Sequence, residues 1–288
     1  MKIAHGYEGI ALNYFKARPG TPKFAEFMFL NSGVLDLVKK DLGRPIYIAE
    51  FGVGSGQQTG FVEAQLEANG VTDYRILAFD KSYSPNPNGR QDQLNLLKDR
   101  IGRGELSDRV IPIQCNIDGI PLPIPTGKVD LSYMAFVQPH LIDKEGVMRE
   151  IARITRQGCP FFLFGATSED PVAHPYDIFF PSMGAIQKER YPTYKQLTDS
   201  FKQSGFKYRG HCRLIRDKGV RIDRALLEQI DPIEDIAINS TLQIIRKEYP
   251  EEFQQGVDTI RKIVEQLEET GGYITFDKER TIYWGIKR

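Results

Sequence analysis

The chain has no excess charge of either sign. Lysine plus arginine and aspartate plus glutamate each number 38, so the formal net charge is zero. Nothing global then draws it to nucleic acid or to an anionic membrane, and partners of those kinds are not expected. Cysteine is scarce. Cys115, Cys159 and Cys212 are far apart and lack metal-ligand spacing, so no metal site is expected. Each sits in an apolar, strand-like run, which reads as a buried thiol and argues against a disulfide framework. No uncharged apolar run is long enough to span a bilayer. The opening residues, Met1 to Glu8, lack the apolar core of a signal peptide. A soluble cytoplasmic protein is expected. There are no repeats and no low-complexity tracts.

What is present is an alternation of strand and helix patterns. Ile46 to Phe51 is a compact apolar strand followed at once by glycines. Gln57 to Asn69 turns helical, with Phe61, Val62 and Leu66 on one face. Further strands are expected over Arg75–Asp80, Val110–Cys115, Val129–Met134, Pro160–Phe164, Phe206–Leu214 and Thr281–Lys287. Ile142 to Thr155 reads as a helix, and the stretch Gly165 to Pro192 as irregular, aromatic and long for a connection. Thr193 to Gln196 resembles a capping box, and its helix ends near Gly205. Asp231-Pro232-Ile233-Glu234 reads as a helix start. Pro250 opens another helix that Gly271-Gly272 stops, with Phe253, Val257, Ile260, Val264 and Leu267 on one face. The alternation argues for an α/β protein with a parallel sheet covered on both faces. Two or three helices are inserted before the last strand, and they read as a cap over the mouth of the sheet.

The chemistry concentrates at Glu50-Phe51-Gly52-Val53-Gly54-Ser55-Gly56. Three alternating glycines between a strand and a helix let a ligand approach the backbone closely. The helix start behind them offers unpaired N–H groups and a partial positive charge. Such a loop suits phosphates or the carboxylate of an amino acid. Two details favour the second. Glu50 would repel a pyrophosphate but suit an ammonium or sulfonium group. The dinucleotide fingerprint G-x-G-x-x-G needs glycine where this chain has Gln57. No Gly-Lys-Ser/Thr follows, so the P-loop pattern fails as well. Asp80 ends the second strand, where either a ribose-binding acid or a solvated strand-end acid belongs.

Glu50 to Gly56 resembles motif I of class I S-adenosylmethionine-dependent methyltransferases, E/D-x-G-x-G-x-G, and the spacing to Gly60 fits. The resemblance continues downstream. Asn116-Ile117-Asp118-Gly119-Ile120-Pro121-Leu122 is similar to the family's D-A-x-x-L-P-F segment. Val129 to Phe136 is similar to its F-D-L-V strand and following loop, and Arg149 to Gly165 to its L-x-P-G-G region. Tyr7 to Pro19, with Ala11, Tyr14 and Arg18-Pro19, is similar to the A-x-x-Y-x-x-x-R-P start of many small-molecule members. The resemblance implies a doubly wound, seven-stranded, mostly parallel sheet with the last strand antiparallel. It implies one domain: an N-terminal lid over 1–44, a core over 45–214 and 276–288, and a helical cap over 215–275. It implies S-adenosylmethionine as methyl donor and S-adenosylhomocysteine as product. Glu50, Gly52, Gly54 and Gly56 would then hold the methionine part, and Tyr14 would contact the cofactor. Asp80, with Lys81 beside it, would hold the ribose. Ile117 would pack on the adenine, and Asn116 or Asp118 would accept from its amino group. Asn116 departs from the family's usual Asp. Met134 either lines the methionine arm or is a core methionine.

Methyl transfer from a sulfonium is an in-line displacement that needs alignment, exclusion of water and, for a protonated acceptor, a base. Candidates for acceptor contact are Tyr14, Arg18, Phe136, Gln138, His140, His174, Tyr176, Phe179, Phe180, Arg190 and Tyr191. His140 and His174 are candidate bases, or else structural or solvent-facing residues. Arg18 and Arg190 either clamp a carboxylate or make surface salt bridges. These expectations describe transfer to an O or N atom of a small molecule, with a weak preference for a carboxylate-bearing acceptor, by a monomer or homodimer. The competing readings are a NAD-dependent Rossmann oxidoreductase, another alkyl transferase of the same fold, and a non-catalytic S-adenosylmethionine-binding protein. No Asn/Asp-Pro-Pro-Tyr/Phe motif follows the fourth strand, which counts against nucleic-acid methylation.

Overall fold

A computed structural model describes residues 21–33, 36, 43–81, 92–118, 121–170, 176–215, 220–230, 240–276 and 279–288. Two compact units emerge. The larger takes the described residues up to Gly165, then Tyr194–Leu214 and Thr281–Arg288, and the smaller takes Ala166–Thr193 and Ile215–Arg280. The described strands are β1 Ile46–Phe51, β2 Tyr74–Asp80, β3 Val110–Gln114, β4 Leu131–Ala135, β5 Pro160–Gly165, β6 Phe206–Ile215, β7 Val220–Ile222, β8 Ile274–Phe276 and β9 Glu279–Lys287. The described helices are α1 Pro22–Ser32, α2 Gln57–Ala68, α3 Gln93–Gly102, α4 Lys144–Ile154, α5 Ser182–Arg190, α6 Tyr194–Gln203, α7 Arg224–Ile230, α8 Ser240–Glu248 and α9 Pro250–Thr270.

The larger unit is built on a seven-stranded sheet in the order β3-β2-β1-β4-β5-β9-β6. β1, β2, β3, β4 and β5 pair in parallel, and β9 lies antiparallel to β5. The expected mostly parallel α/β sheet with an antiparallel last strand is therefore present. Side chains alternate across a strand, and the two faces bury separate clusters. Ile46 and Ile48 of β1 meet Phe24 of α1, Val62 of α2 and Leu97 of α3 on one face. Ala49 and Phe51 meet Val147 and Ile151 of α4 and Phe201 of α6 on the other. With both faces covered, the central strands read as continuous apolar runs rather than alternating ones.

Several boundaries differ from the sequence expectation. β4 starts at Leu131, and Val129 makes only an isolated bridge to Thr155. The cause is Asp130. Its buried carboxylate accepts the Tyr47 N–H at 3.0 Å, takes a bidentate pair from Arg44 at 2.6 and 2.7 Å, and accepts from Arg156 at 2.9 Å. A backbone donor beside the ladder is thereby spent on a side chain. Helix α3 had no expectation. Asp92 caps it by accepting the Asn95 N–H at 2.9 Å. Of the cysteines, only Cys159 is buried, and burial pushes its thiol up to about 11. Cys115 and Cys212 are half-buried, because β3 and β6 are the sheet edges and have a neighbour on one side only.

The smaller unit has its own core, in which Phe180, Leu227, Leu242, Ile245, Phe253 and Val257 are buried together. The stretch expected to be irregular contains α5. Pro181 enters it with φ −54°, already helical, and Met183 and Ile186 bury one side. α9 starts at Pro250 and ends on left-handed Gly271, as the punctuation indicates. β7 and β8 pair antiparallel, a feature absent from the helical expectation. The expected helix start at Asp231 lies outside the described residues.

Candidate functional site

In the sheet order, β1 is flanked by β2 on one side and β4 on the other. The chain leaves β1 toward β2 and β3, then crosses back to β4. The carboxyl ends of β1 and β4 are thus a topological switch point, where open α/β sheets bind ligands. Two loops meet there: the glycine loop after β1 and Phe136–His140 after β4. They touch. A Cβ built on Gly52 would come within 2.2 Å of Val137 Cγ2. Gly52 also has φ +68°, so glycine is required on two counts. A Cβ on Gly56, at φ +79°, would meet Leu97 Cδ1 of α3 at 2.5 Å. The loop backbone is pinned from below. The Gly52 and Val53 N–H groups donate to the Phe79 carbonyl at 2.8 and 2.9 Å, and the Gly56 N–H to the Val53 carbonyl at 3.1 Å. Buried Arg100 of α3 donates to the Ser55 carbonyl at 2.7 Å.

Glu50 is the penultimate residue of β1 and is buried. Parallel register sets it beside Tyr133 of β4. The Tyr133 hydroxyl donates to Glu50 Oε2 at 2.6 Å, and Thr59, in the first turn of α2, donates to the same oxygen at 2.6 Å. Burial pushes the Glu50 carboxyl up from 4.5 to about 7. The two hydroxyls oppose that rise, and the nearby charges of Asp80 and Glu63 add to it. Burial, with the Glu50 charge behind it, drives the Tyr133 hydroxyl well above its ordinary value, so it remains a donor. Phe24 of α1 covers this cluster with its ring edge-on to Tyr133 at 6.0 Å. α1 is seated there by a reciprocal pair. The Thr21 N–H donates to Gln58 Oε1 at 3.0 Å, and Gln58 Nε2 returns a bond to the Thr21 carbonyl at 3.3 Å.

Among the described residues, three polar atoms around the two loops are buried without a hydrogen-bond partner: Ser55 Oγ, Gln93 Oε1 and Gln138 Oε1. Each such atom costs about 1–3 kcal/mol unless something completes it. A Cβ on Gly54 would lie 3.6 Å from Gln93 Oε1, and one on Gly165 would lie 3.9 Å from Gln138 Oε1. Ser55 is in the glycine loop, Gln93 opens α3, and Gln138 follows β4. Phe136, between the loop contacts, has φ +62° and is the non-glycine residue with positive φ among the described residues. Its ring packs on Phe164 at 4.7 Å. Backbone strain of this kind gathers at functional sites.

The residues singled out from the sequence divide as follows. Asp80, at the end of β2, accepts the Gly54 N–H at 2.8 Å, which ties the ribose candidate directly to the glycine loop. Lys81 beside it is exposed. Ile117 is buried in the cluster on the Phe51 face. Asn116 is exposed, and its Oδ1 accepts the Asp118 N–H at 3.2 Å. Asp118 Oδ1 accepts from the Ile142 and Asp143 N–H groups at 3.0 and 3.2 Å, ahead of α4. Met134 is buried between Phe51 and Leu163 in the ladder. His140 is half-buried at the end of the 3₁₀ turn Gln138–His140. Arg190 is buried in the smaller unit and donates to Thr241 at 2.9 Å. Tyr176, Phe179 and Phe180 belong to that unit's core. Tyr14, Arg18 and His174 lie outside the described residues. Thr59, Tyr133, Gln93 and Arg100 had no signal in the sequence. Thr59 alone was within reach of one, since it stands three residues after the last loop glycine, on the first turn of the helix.

No sequence-family model matches the chain, and no curated protein matches it in sequence. Its fold has counterparts among solved structures. A candidate methyltransferase from an antibiotic biosynthesis pathway of Anabaena variabilis is 14% identical. That match covers 87% of this chain and 95% of the other, with a TM-score of 0.53. A candidate methyltransferase from Bacillus halodurans is 13% identical, over 88% and 98% of the two chains, with a TM-score of 0.52. A geranyl diphosphate methyltransferase in complex with GPP and sinefungin is 13% identical, over 92% and 78%, with a TM-score of 0.50. The fold is that of the class I S-adenosylmethionine-dependent methyltransferases.

Proposed function

We propose that this protein binds S-adenosylmethionine at the β1–β4 switch point and transfers its methyl group to an O or N atom of a small-molecule acceptor. The observation that carries the reading is Glu50. It is a buried carboxylate, two residues ahead of a glycine loop, in a fold shared with methyltransferases. A pyrophosphate at that loop would face this negative charge, whereas the ammonium of an amino-acid tail is attracted to it. The Ser55 and Gln93 atoms beside the loop, which have no partner among the described residues, fit a ligand with polar groups there. Gln57 stands where a dinucleotide fold needs its third glycine, which disfavours the oxidoreductase reading.

When bound, S-adenosylmethionine supplies an electrophilic methyl on a sulfonium with a good leaving group. The chain's task is then to bind, orient and exclude water. Glu50 receives the ammonium. Asp80 serves the ribose hydroxyls, and its bond to Gly54 couples ribose binding to loop position. Arg100 holds the loop from behind through the Ser55 carbonyl. Ile117 offers an apolar surface to the adenine, with Asn116 or Asp118 accepting from its amino group and Met134 beside the methionine arm. Tyr14 contacts the cofactor, and Arg18 and His140 belong to the acceptor side. Arg18 carries the weak preference for a carboxylate, which needs no base. His140 takes a proton where the acceptor carries one. A cytoplasmic monomer or homodimer is part of the same reading. Among the described residues no helix is long and apolar enough to cross a membrane.

The test is calorimetry with S-adenosylhomocysteine and with NAD on the full chain. Binding of the first and not the second is expected. Failure to bind S-adenosylhomocysteine at millimolar concentration overturns the reading, and binding without turnover over an acceptor panel leaves a cofactor-binding protein. R18A should weaken a carboxylate acceptor. If it leaves that affinity unchanged, the carboxylate preference falls.

A further inference from the structure

Among the described residues, Glu50 is held on one oxygen only. Thr59, from α2, and Tyr133, from β4, both donate to Oε2, each at 2.6 Å, and Oε1 takes neither bond. The two donors come from different elements, so the carboxyl plane is fixed by the packing of α2 on the sheet rather than by a flexible side chain. We propose that Thr59 and Tyr133 are positioning residues that load Oε2 and present Oε1 to the ammonium of the ligand, making its binding proton-linked. The proposal rests on the assignment of the site to S-adenosylmethionine.

The surroundings decide the direction of the linkage. Among the described residues, the charged groups that act on Glu50 most are acidic: Asp80 at the end of β2 and Glu63 one turn along α2 from Thr59. Glu63 is occupied by the Tyr74 hydroxyl at 3.0 Å and the Ser107 N–H at 3.2 Å. α1 contributes the apolar ring of Phe24. Burial and these like charges raise the carboxyl to about 7, while the two hydroxyls favour the charged form. Without ligand, Glu50 is therefore part-protonated near neutrality. An arriving ammonium selects the carboxylate, and the carboxyl proton leaves to solvent. Affinity for a ligand with an ammonium must then rise with pH through about 7. Removing either hydroxyl takes support from the carboxylate and moves that rise to higher pH.

The experiment is calorimetry of the full chain with S-adenosylhomocysteine and with 5′-methylthioadenosine, which has the nucleoside and lacks the amino-acid arm. For the wild type, S-adenosylhomocysteine should tighten ~10-fold between about pH 6 and 8, with proton release seen as a binding heat that varies with the buffer's ionisation enthalpy, while methylthioadenosine stays flat. In Y133F and T59V the rise should move up by about one pH unit. Binding is then ~5-fold weaker near pH 7 and mostly recovered near pH 9. T59S should restore the profile that T59V loses. If Y133F does not fold, the T59V and T59S pair carries the test alone. A flat wild-type profile, or variants that weaken binding equally at every pH, overturns the proposal while the cofactor assignment stands. Absence of S-adenosylhomocysteine binding at every pH overturns the assignment itself.

Discussion

The glycines of the loop after β1 are not equivalent, and their surroundings rank them. At Gly52 a Cβ would strike the Val137 side chain at 2.2 Å, on a branched residue close to its own backbone, with φ already at +68°. At Gly54 the neighbour is Gln93 at 3.6 Å, an ordinary contact, and only φ +57° opposes a side chain. G54A should thus cost about 1–2 kcal/mol of backbone strain. G52A should cost about 2–4 kcal/mol, because overpacking adds to the strain. Urea denaturation orders the two, and equal losses would refute the ranking. G52A should also weaken S-adenosylhomocysteine more, since relief of the clash pushes apart the two loops that meet at the switch point. That Glu50 is a candidate to face a ligand could be read in the sequence from its place before the glycines. Its fixing by Tyr133 could not, because 83 residues separate the two and only parallel register brings them together.

At the scale of elements, helices sit where a small residue or a paired polar group lets them. In the smaller unit, a Cβ on Gly256 of α9 would come within 2.3 Å of the Phe180 ring and 2.7 Å of the Phe179 carbonyl. Backbone cannot give way as a side-chain tip can. A second tie sits nearby, where Glu252 accepts from the Ser182 N–H at 2.8 Å and its hydroxyl at 2.6 Å. G256V should cost about 1–3 kcal/mol. Hydrogen exchange should accelerate in α5 and α9 and stay unchanged in β1–β5; uniform acceleration would show that the two units unfold together. The amphipathic face of α9 was legible, since Phe253, Val257, Ile260 and Val264 recur at helical spacing and are buried. Helix α5 was not, because prolines and aromatics around it hide the one-turn pair Met183 and Ile186. The β7–β8 pairing was not legible either. Both strands have three residues, and a pairing between segments some fifty residues apart leaves no local pattern.

For the whole molecule, charge burial at opposite ends of the sheet sets a pH window. Burial alone would raise Asp130, but Arg44, the Tyr47 N–H and Arg156 outweigh it and hold its carboxyl below 3.8. Its stabilisation is present above the unfolded value and is lost as pH falls. Glu50 acts in reverse. Its folded value, about 7, lies above 4.5, so its contribution is full below 4.5 and is lost as pH rises through 7. The shift corresponds to roughly 3 kcal/mol. Melting temperature should therefore peak on the mildly acidic side of neutrality. E50Q should flatten the alkaline limb and melt higher than wild type at about pH 8, while S-adenosylhomocysteine binding is lost; an E50Q profile parallel to wild type would contradict the raised value. The sequence by itself determined the strand-helix alternation, the glycine loop and the acid before it. Those are local patterns, set by side-chain periodicity and by backbone angles that only glycine adopts easily. Only the tertiary structure decided which distant side chains surround that acid, which polar atoms stay unpartnered at the loop, and that Arg190 pairs with Thr241. Such contacts depend on strand order and register, which bring together residues whose separation along the chain carries no signal.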